Sequence, residues 1–291
     1  MKKRLLILGG TGDAAELAVR ASQIADLEVI TSLAGCTKQP STPKTGTVRI
    51  GGFGGAAGLA AYLLDRAIDL LIDATHPFAA RISFNAAAAA QCQVPHLMLV
   101  RPAWEAVEGD RWIEVASHSE AAKALSLISC TILKNGQDAR STKDEFDCGT
   151  GILPVHKGLI ENGTISQLSG QFQRVFLTIG RQELAAFAGL ESIWCLMRAI
   201  DPPALNTPVP KGKLLLDRGP FTLENERQLL REYQIDTIVS KNSGGDATYA
   251  KIVAAREQGI PVVMVQRPPI PDVEQVADVA GAFSWLIKQL N

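Results

Sequence analysis

One layout occurs twice in this chain. Ile68 to Pro102 opens I-D-L-L-I-D-A-T-H-P-F-A and closes V-P-H-L-M-L-V-R-P. Ile235 to Pro268 opens I-D-T-I-V-S-K-N-S-G-G, passes through an alanine-rich segment and closes I-P-V-V-M-V-Q-R-P. Each copy reads as a short apolar run, a turn, a stretch of strong helix formers and a second apolar run. Continuous apolar runs of this length are strands buried on both faces, and two of them joined through a helix run parallel. The chain is therefore expected to be α/β and built from two similar modules. Ligands of open parallel sheets gather at the carboxyl ends of the strands. Chemistry is to be sought first in the turns Asp73 to Phe78 and Lys241 to Gly245.

The totals narrow the class. A length of 291 residues suits two domains, each able to bury a core. A net charge of −1 offers nucleic acid or an anionic membrane no global attraction, so neither is an expected partner. An acidic ligand must be met by locally placed cations. Cys36, Cys92, Cys130, Cys148 and Cys195 show no metal-binding spacing, which suits reduced thiols in a cytoplasmic protein and predicts no metal site. The opening M-K-K-R-L-L-I-L-G-G has too short an apolar run for a signal peptide. No stretch reaches the roughly 18 apolar residues of a membrane span. The sequence carries no signal for oligomeric state.

In the first half, Leu5 to Leu8 is an apolar run stopped by Gly9, Gly10, Thr11 and Gly12, and Ala14 to Ala21 then has helical spacing. Gly10-x-Gly12-x-x-Ala15 fits the dinucleotide fingerprint, in which small residues let the backbone approach a pyrophosphate at a helix N-terminus. A glycine turn also serves many plain strand-to-helix joints, and the motif alone leaves both readings open. The second strand, Glu28 to Leu33, ends T-S-L-A-G-C-T-K with no carboxylate for a ribose. Thr31, Ser32 and Lys38 would suit a 2′-phosphate and so favour NADP over NAD; an ordinary polar loop fits equally. V-R-I-G-G-F-G-G, leading to a helix over Ala56 to Leu64, is either a second ligand loop or a flexible connection. The third strand, Ile68 to Asp73, ends in a carboxylate. Pro77 suits the first turn of a helix over Ala79 to Cys92, which presents His76 at its start, as a structural group or a ligand contact. His96 to Val100 is the fourth strand. W-I-E-V and a helix from Ser117 complete the first module near residue 130.

Residues 131–172 turn charged and rich in Ser, Thr and Gly, the composition of an insertion or mobile linker. Val175 to Gly180 restarts the pattern, with R-Q-E-L-A-A-F-A as its helix. Strands over Ile193 to Ala199, Lys213 to Leu216 and Ile235 to Ser240 follow, and a helix from about Asp272 to Gln289 ends the chain. The expected fold is thus two Rossmann-like domains with parallel sheets, related as pseudo-repeats over 1–130 and 173–291, with the active cleft between them. Arg101, Arg181, Arg198, Arg218, Lys241 and Arg267 all fall at or just past strand ends. Six cations at one kind of position suit a ligand with several carboxylates or phosphates.

With these residues assembled, the chain resembles the precorrin-6A reductase family of cobalamin biosynthesis, known also in a cobalt-precorrin-6A form. The resemblance is carried by I-L-G-G-T, S-L-A-G, V-R-I-G-G-F-G-G, I-D-L-L-I-D-A-T-H-P-F-A, R-P-A-W, F-L-T-I-G-R-Q-E-L-A-A-F, R-G-P-F-T-L-E-N-E and S-K-N-S-G-G, which run in order along most of the chain. It implies an oxidoreductase that passes hydride from a reduced nicotinamide dinucleotide to the macrocycle of an anionic tetrapyrrole, yielding the dihydro product. Gly9, Gly10, Thr11, Gly12, Ser32, Ala34, Gly35 and Lys38 would hold the cofactor. Asp73, His76 and Lys241 would be catalytic, His76 and Lys241 positioning or polarising the substrate and Asp73 orienting them. Thr75, Phe78, Arg101, Arg181, Arg218, Asn242 and Ser243 would bind the substrate. The family commonly continues S-L-A-G with an arginine suited to the 2′-phosphate of NADPH. Here that residue is Cys36, which leaves NADPH and NADH both open, with Ser32 or Lys38 to take the arginine's part. The rival readings are a two-domain glycosyl- or nucleotidyl-type transferase and a non-catalytic two-domain protein that binds a small ligand.

Overall fold

The computed structural model describes residues 2–35, 46–135 and 172–291, with side chains described in 128–135 excepted. The readings placed on Cys36, Lys38 and most of 131–172 lie outside the described residues. The first sheet is built from β1 (Lys3–Leu8), β2 (Leu27–Leu33), β3 (Thr47–Ile50), β4 (Leu70–Asp73), β5 (His96–Leu99) and β12 (Gln275–Val276), in the spatial order β12-β5-β4-β1-β2-β3. The second comprises β6 (Trp112–Val115), β7 (Arg174–Leu177), β8 (Trp194–Ala199), β9 (Gly212–Leu216), β10 (Thr237–Lys241) and β11 (Val262–Val265), in the order β6-β11-β10-β7-β8-β9. Every pairing in both sheets is parallel.

Alternation along the central strands explains the layering of the first sheet. Leu5, Ile7, Leu70, Ile72 and Leu97 face a cluster closed by Leu17 and Ala21 of α1 (Gly12–Ala21) and by Ala282, Trp285 and Leu286 of α7 (Val279–Leu290). Leu6, Leu8, Ile30 and Leu71 face the other way, against Leu59 and Leu63 of α2 (Gly55–Asp65) and Ala86 and Ala89 of α3 (Ala80–Ala90). With both faces covered, both sets of side chains must be apolar, which is why these strands read as unbroken hydrophobic runs. The second sheet is accompanied by α4 (His118–Asn135), α5 (Leu223–Glu232) and α6 (Ala250–Glu257).

The two expected parallel-sheet, Rossmann-like modules are present, and their sixth strands are exchanged. W-I-E-V, read above as part of the first module, is β6, and it pairs with β11 of the second sheet through Trp112 opposite Val262 and Val115 opposite Val265. In return β12 joins the first sheet, with Gln275 opposite Met98. The compact units are accordingly Met1–Glu105 with Asn242–Gly245 and Arg267–Asn291, and Ala106–Lys241 with Asp246–Gln266. This division departs from the expected boundary near residue 130. Pattern reading along the chain assigns a strand to its sequence neighbours, whereas edge pairing is settled by long-range contacts.

Three local expectations also change. R-Q-E-L-A-A-F folds as a 3-10 helix over Arg181–Phe187, entered through Gly180 at φ 82°. The C-terminal helix starts at Val279, capped by the Asp278 side chain, and β12 precedes it. V-R-I belongs to an edge strand, β3, whose largely solvated side chains left no apolar signal.

Candidate active site

In the first unit the carboxyl ends of β1, β2 and β4 bring together most of the expected cofactor residues. Gly9 N donates to the Ser32 carbonyl (2.9 Å), and a Cβ at Gly9 would press on Thr31 Cγ2 at 3.1 Å. Gly10, by contrast, has φ 115° and nothing within 4 Å of where a Cβ would sit. Gly12 is equally open. Thr11 caps α1, accepting from Ala14 N (3.1 Å), while its hydroxyl donates to the Ala74 carbonyl at 2.8 Å and so fixes the turn to the end of β4. The result is an exposed backbone cradle at the N-terminus of a ten-residue helix, where first-turn amides lack intrahelical acceptors and favour an anion. Ala34 and Gly35 are exposed beyond β2 and Ser32 is buried beneath them. These residues fit a dinucleotide.

Asp73 is buried at the end of β4. Its Oδ1 accepts from Thr75 N (3.0 Å) and from the Thr75 hydroxyl (2.7 Å), so the carboxylate shapes the turn that carries His76. His76 Nδ1 accepts from Phe78 N at 3.2 Å, which places the proton of the neutral ring on Nε2. The Phe78 ring lies 5.8 Å from the imidazole. Asp73, Thr75, His76 and Pro77 line a small cavity with Met98, Leu99 and Ile270.

Several expected substrate residues make hydrogen bonds within the first unit. Arg101 donates to Asp13 in the first turn of α1 (3.1 Å) and to the Ser243 carbonyl (3.0 Å). Asn242 exchanges two hydrogen bonds with the Trp104 backbone, at 2.8 and 3.0 Å. Arg267 donates to the carbonyls of Asn242, Arg101 and Pro102. Asn242 and Ser243 are buried by these contacts. Gly244, with φ 67°, passes so close to the Pro102 carbonyl that a Cβ would overlap it.

The second unit places Lys241 in company that sequence reading missed. Lys241 Nζ lies 3.5 Å from Glu183 Oε1, and the other carboxylate oxygen of Glu183 lies 3.4 Å from Nδ1 of His118. The three come from the end of β10, the 3-10 segment after β7 and the start of α4, so only the folded sheet unites them. Burial lowers the affinity of Lys241 for its proton, and Glu183 opposes that shift. His118 is also pushed down, first by burial, with Glu183 acting against it and Lys241 with it. A half-buried cation with a lowered pKa, held by a carboxylate, suits proton transfer or polarisation of a carbonyl or imine. Arg181 donates to the Pro202 carbonyl (2.9 Å), and the Arg218 amide to Asp217 Oδ1 (2.8 Å).

Arg198, counted above among the strand-end cations, is taken out of that set. It is buried, lies 2.8 Å from Glu226 and is sandwiched between Phe176 and Phe221, with its guanidinium carbon 4.7 and 4.0 Å from the two rings. Beside this pair Lys251 is fully enclosed, and burial brings its pKa down to about 7. Among the described residues no group of three His, Cys, Asp or Glu side chains is placed to hold a metal ion. Nor is any described helix long and apolar enough to cross a membrane.

Two parallel-sheet units, one opening on a glycine cradle and the other on a half-buried Lys–Glu–His cluster, define a protein of the two-domain dinucleotide-fold class. The chain belongs to the family described as Precorrin-6x reductase CbiJ/CobK, whose sequence profile matches residues 4–287. It is similar to the precorrin-6A reductase of Rhodococcus erythropolis, 44% identical over 97% of each chain. It is likewise similar to that of a Sinorhizobium species, 44% identical over 98% of this chain and 94% of the other. A solved structure titled CobK precorrin-6A reductase superposes with a TM-score of 0.78 at 35% identity, covering 99% of this chain and 97% of that one.

Proposed function

We propose that the protein reduces precorrin-6A to its dihydro form in cobalamin biosynthesis, with a reduced nicotinamide dinucleotide as the hydride source. The observation that carries this reading is the family match, which spans both sheets and the glycine turn alike. The metal-free macrocycle is preferred over its cobalt form, because relatives named for the former reach 44% identity and one named for the latter 28%. NADPH is the proposed cofactor, held at Gly9, Gly10, Thr11 and Gly12 and at the Ser32, Ala34 and Gly35 strand end. When bound, it supplies the hydride, and the macrocycle gains that hydride together with one proton.

The residues of the chain then position and polarise. His76, fixed by the Phe78 amide, offers Nε2–H to the substrate, on a turn that Asp73 shapes through Thr75. Lys241 presents a cation that Glu183 restrains and His118 backs. Arg181 and Arg218, at strand ends of the second sheet, meet carboxylate side chains of the macrocycle, and Phe78 offers it an apolar edge. Anaerobic incubation with precorrin-6A and NADPH tests the proposal. The expected result is loss of reduced-nicotinamide absorbance with a mass gain of two hydrogens on the macrocycle. No nicotinamide oxidation with authentic precorrin-6A overturns it.

A further inference from the structure

We infer that Arg49 is the residue by which this protein selects the 2′-phosphate of NADPH. The inference rests on the reading above that the glycine turn takes a nicotinamide dinucleotide. In dinucleotide folds the adenosine ribose is read at the end of the second strand, about twenty residues past the glycine turn, by an acidic side chain for a free 2′-hydroxyl or by a nearby arginine for a 2′-phosphate. Here that strand end carries Ser32, which has no charge to offer or to repel. Directly opposite it in the β2–β3 pairing stands Arg49.

The guanidinium of Arg49 is held at this place. Nη1 donates to the Ser32 hydroxyl (3.2 Å) and to the Gly51 carbonyl, and Nη2 to the Gly52 carbonyl (2.7 Å). One face of the group lies on the Phe53 ring, 3.8 Å from guanidinium carbon to centroid, and Tyr62 lies 5.2 Å away. A guanidinium has five N–H donors, and these bonds use three of them. Nε and one hydrogen of Nη2 are left, and neither meets an acceptor among the described residues. None of the carboxylates there pairs with Arg49 either, in contrast to Arg4, Arg101, Arg198, Arg227 and Arg256. A half-buried, stacked, pre-oriented guanidinium with no carboxylate partner among the described residues is suited to a phosphate. The glycines of V-R-I-G-G-F-G-G now have a reason: Gly51 (φ 121°) turns the chain so that its carbonyl and that of Gly52 fold back onto Arg49.

The test is direct binding without macrocycle, by fluorescence titration of the full-length protein with NADPH and with NADH, and by competition with adenosine 2′,5′-bisphosphate. The wild type is expected to prefer NADPH by at least about tenfold. Arg49→Met, which keeps apolar contact with Phe53, is expected to lose about 10- to 100-fold in NADPH affinity, to stay within about twofold for NADH, and to lose competition by the bisphosphate. Arg49→Lys, with charge but no fork, falls between. An Arg49→Met protein that weakens for both dinucleotides alike shows a mere clasp on the Gly51–Gly52 backbone and overturns the inference. So does a wild type that binds NADH as tightly as NADPH, although the nicotinamide reading then stands. A wild type that binds neither dinucleotide removes that reading as well.

Discussion

Glu183 stands between two bases whose protons burial has loosened, and its removal should be visible in a titration rather than only in a rate. Lys241 is held down by burial and lifted by Glu183. With Glu183→Gln the lift disappears and the lysine loses its proton at lower pH. If the ammonium is the working form, the alkaline limb of kcat/KM against pH shifts to lower pH, with a loss of roughly 10- to 100-fold on the alkaline side. An unshifted limb in a folded variant removes Lys241 from the chemistry. Lys251 offers a second test, on stability. Its folded pKa is about 7 against 10.5 for an ordinary lysine. Below about pH 7 both folded and unfolded chains carry the charge, and the folded state bears its full desolvation penalty. Between about 7 and 10.5 only the unfolded chain keeps the proton, and the penalty fades as pH rises, by at most about 1.4 kcal/mol per pH unit. Lys251→Met should therefore stabilise the protein by about 1–3 kcal/mol at about pH 6, and less at about pH 9, in urea unfolding.

At the scale of elements, the glycines divide into those that admit a neighbour within the chain and those that face open space. Gly244→Ala sets a methyl into the Pro102 carbonyl at a left-handed φ, and should cost roughly 3 kcal/mol in unfolding midpoint. Gly10→Ala meets no neighbour but must take a φ of 115°, and should cost about 1–3 kcal/mol while weakening dinucleotide binding at least about tenfold. A Gly10→Ala protein that binds normally would mean that the cradle is not used. The same distinction governs what could be read beforehand. β1, β2, β4, β7, β8, β10 and β11 were legible because burial on both faces leaves unbroken apolar runs. β3 and β12, edge strands of four and two residues, carry no such signature. The glycine turn and the Asp73 and Lys241 turns stood out because each follows directly on a buried strand. Glu183, His118 and Arg49 did not, since their meaning lies in partners that only sheet pairing brings near. The same pairing shows Arg101, Asn242 and Arg267 engaged in the backbone of their own unit.

For the molecule as a whole, the exchange of sixth strands makes sequence order a poor guide to what folds alone. A fragment of residues 1–130 contains the expected first module but lacks α7, whose Ala282, Trp285 and Leu286 close one face of the first sheet. It also carries β6, whose strand partner among the described residues is β11 of the other sheet. It should aggregate or unfold without cooperativity, whereas 1–105 joined by a short linker to 267–291 should show a cooperative transition. Cooperative unfolding of 1–130 alone would contradict that account. The exchange also sets the timing of biosynthesis. Lys3 donates to the carbonyls of Gln289 and Leu290, 286 and 287 positions further along the chain. The cluster around Leu5 and Ile7 therefore stays uncapped until α7 has been made. A nascent chain must keep that surface from its neighbours on the polysome, and the protein becomes vulnerable to ribosome stalling anywhere along its length.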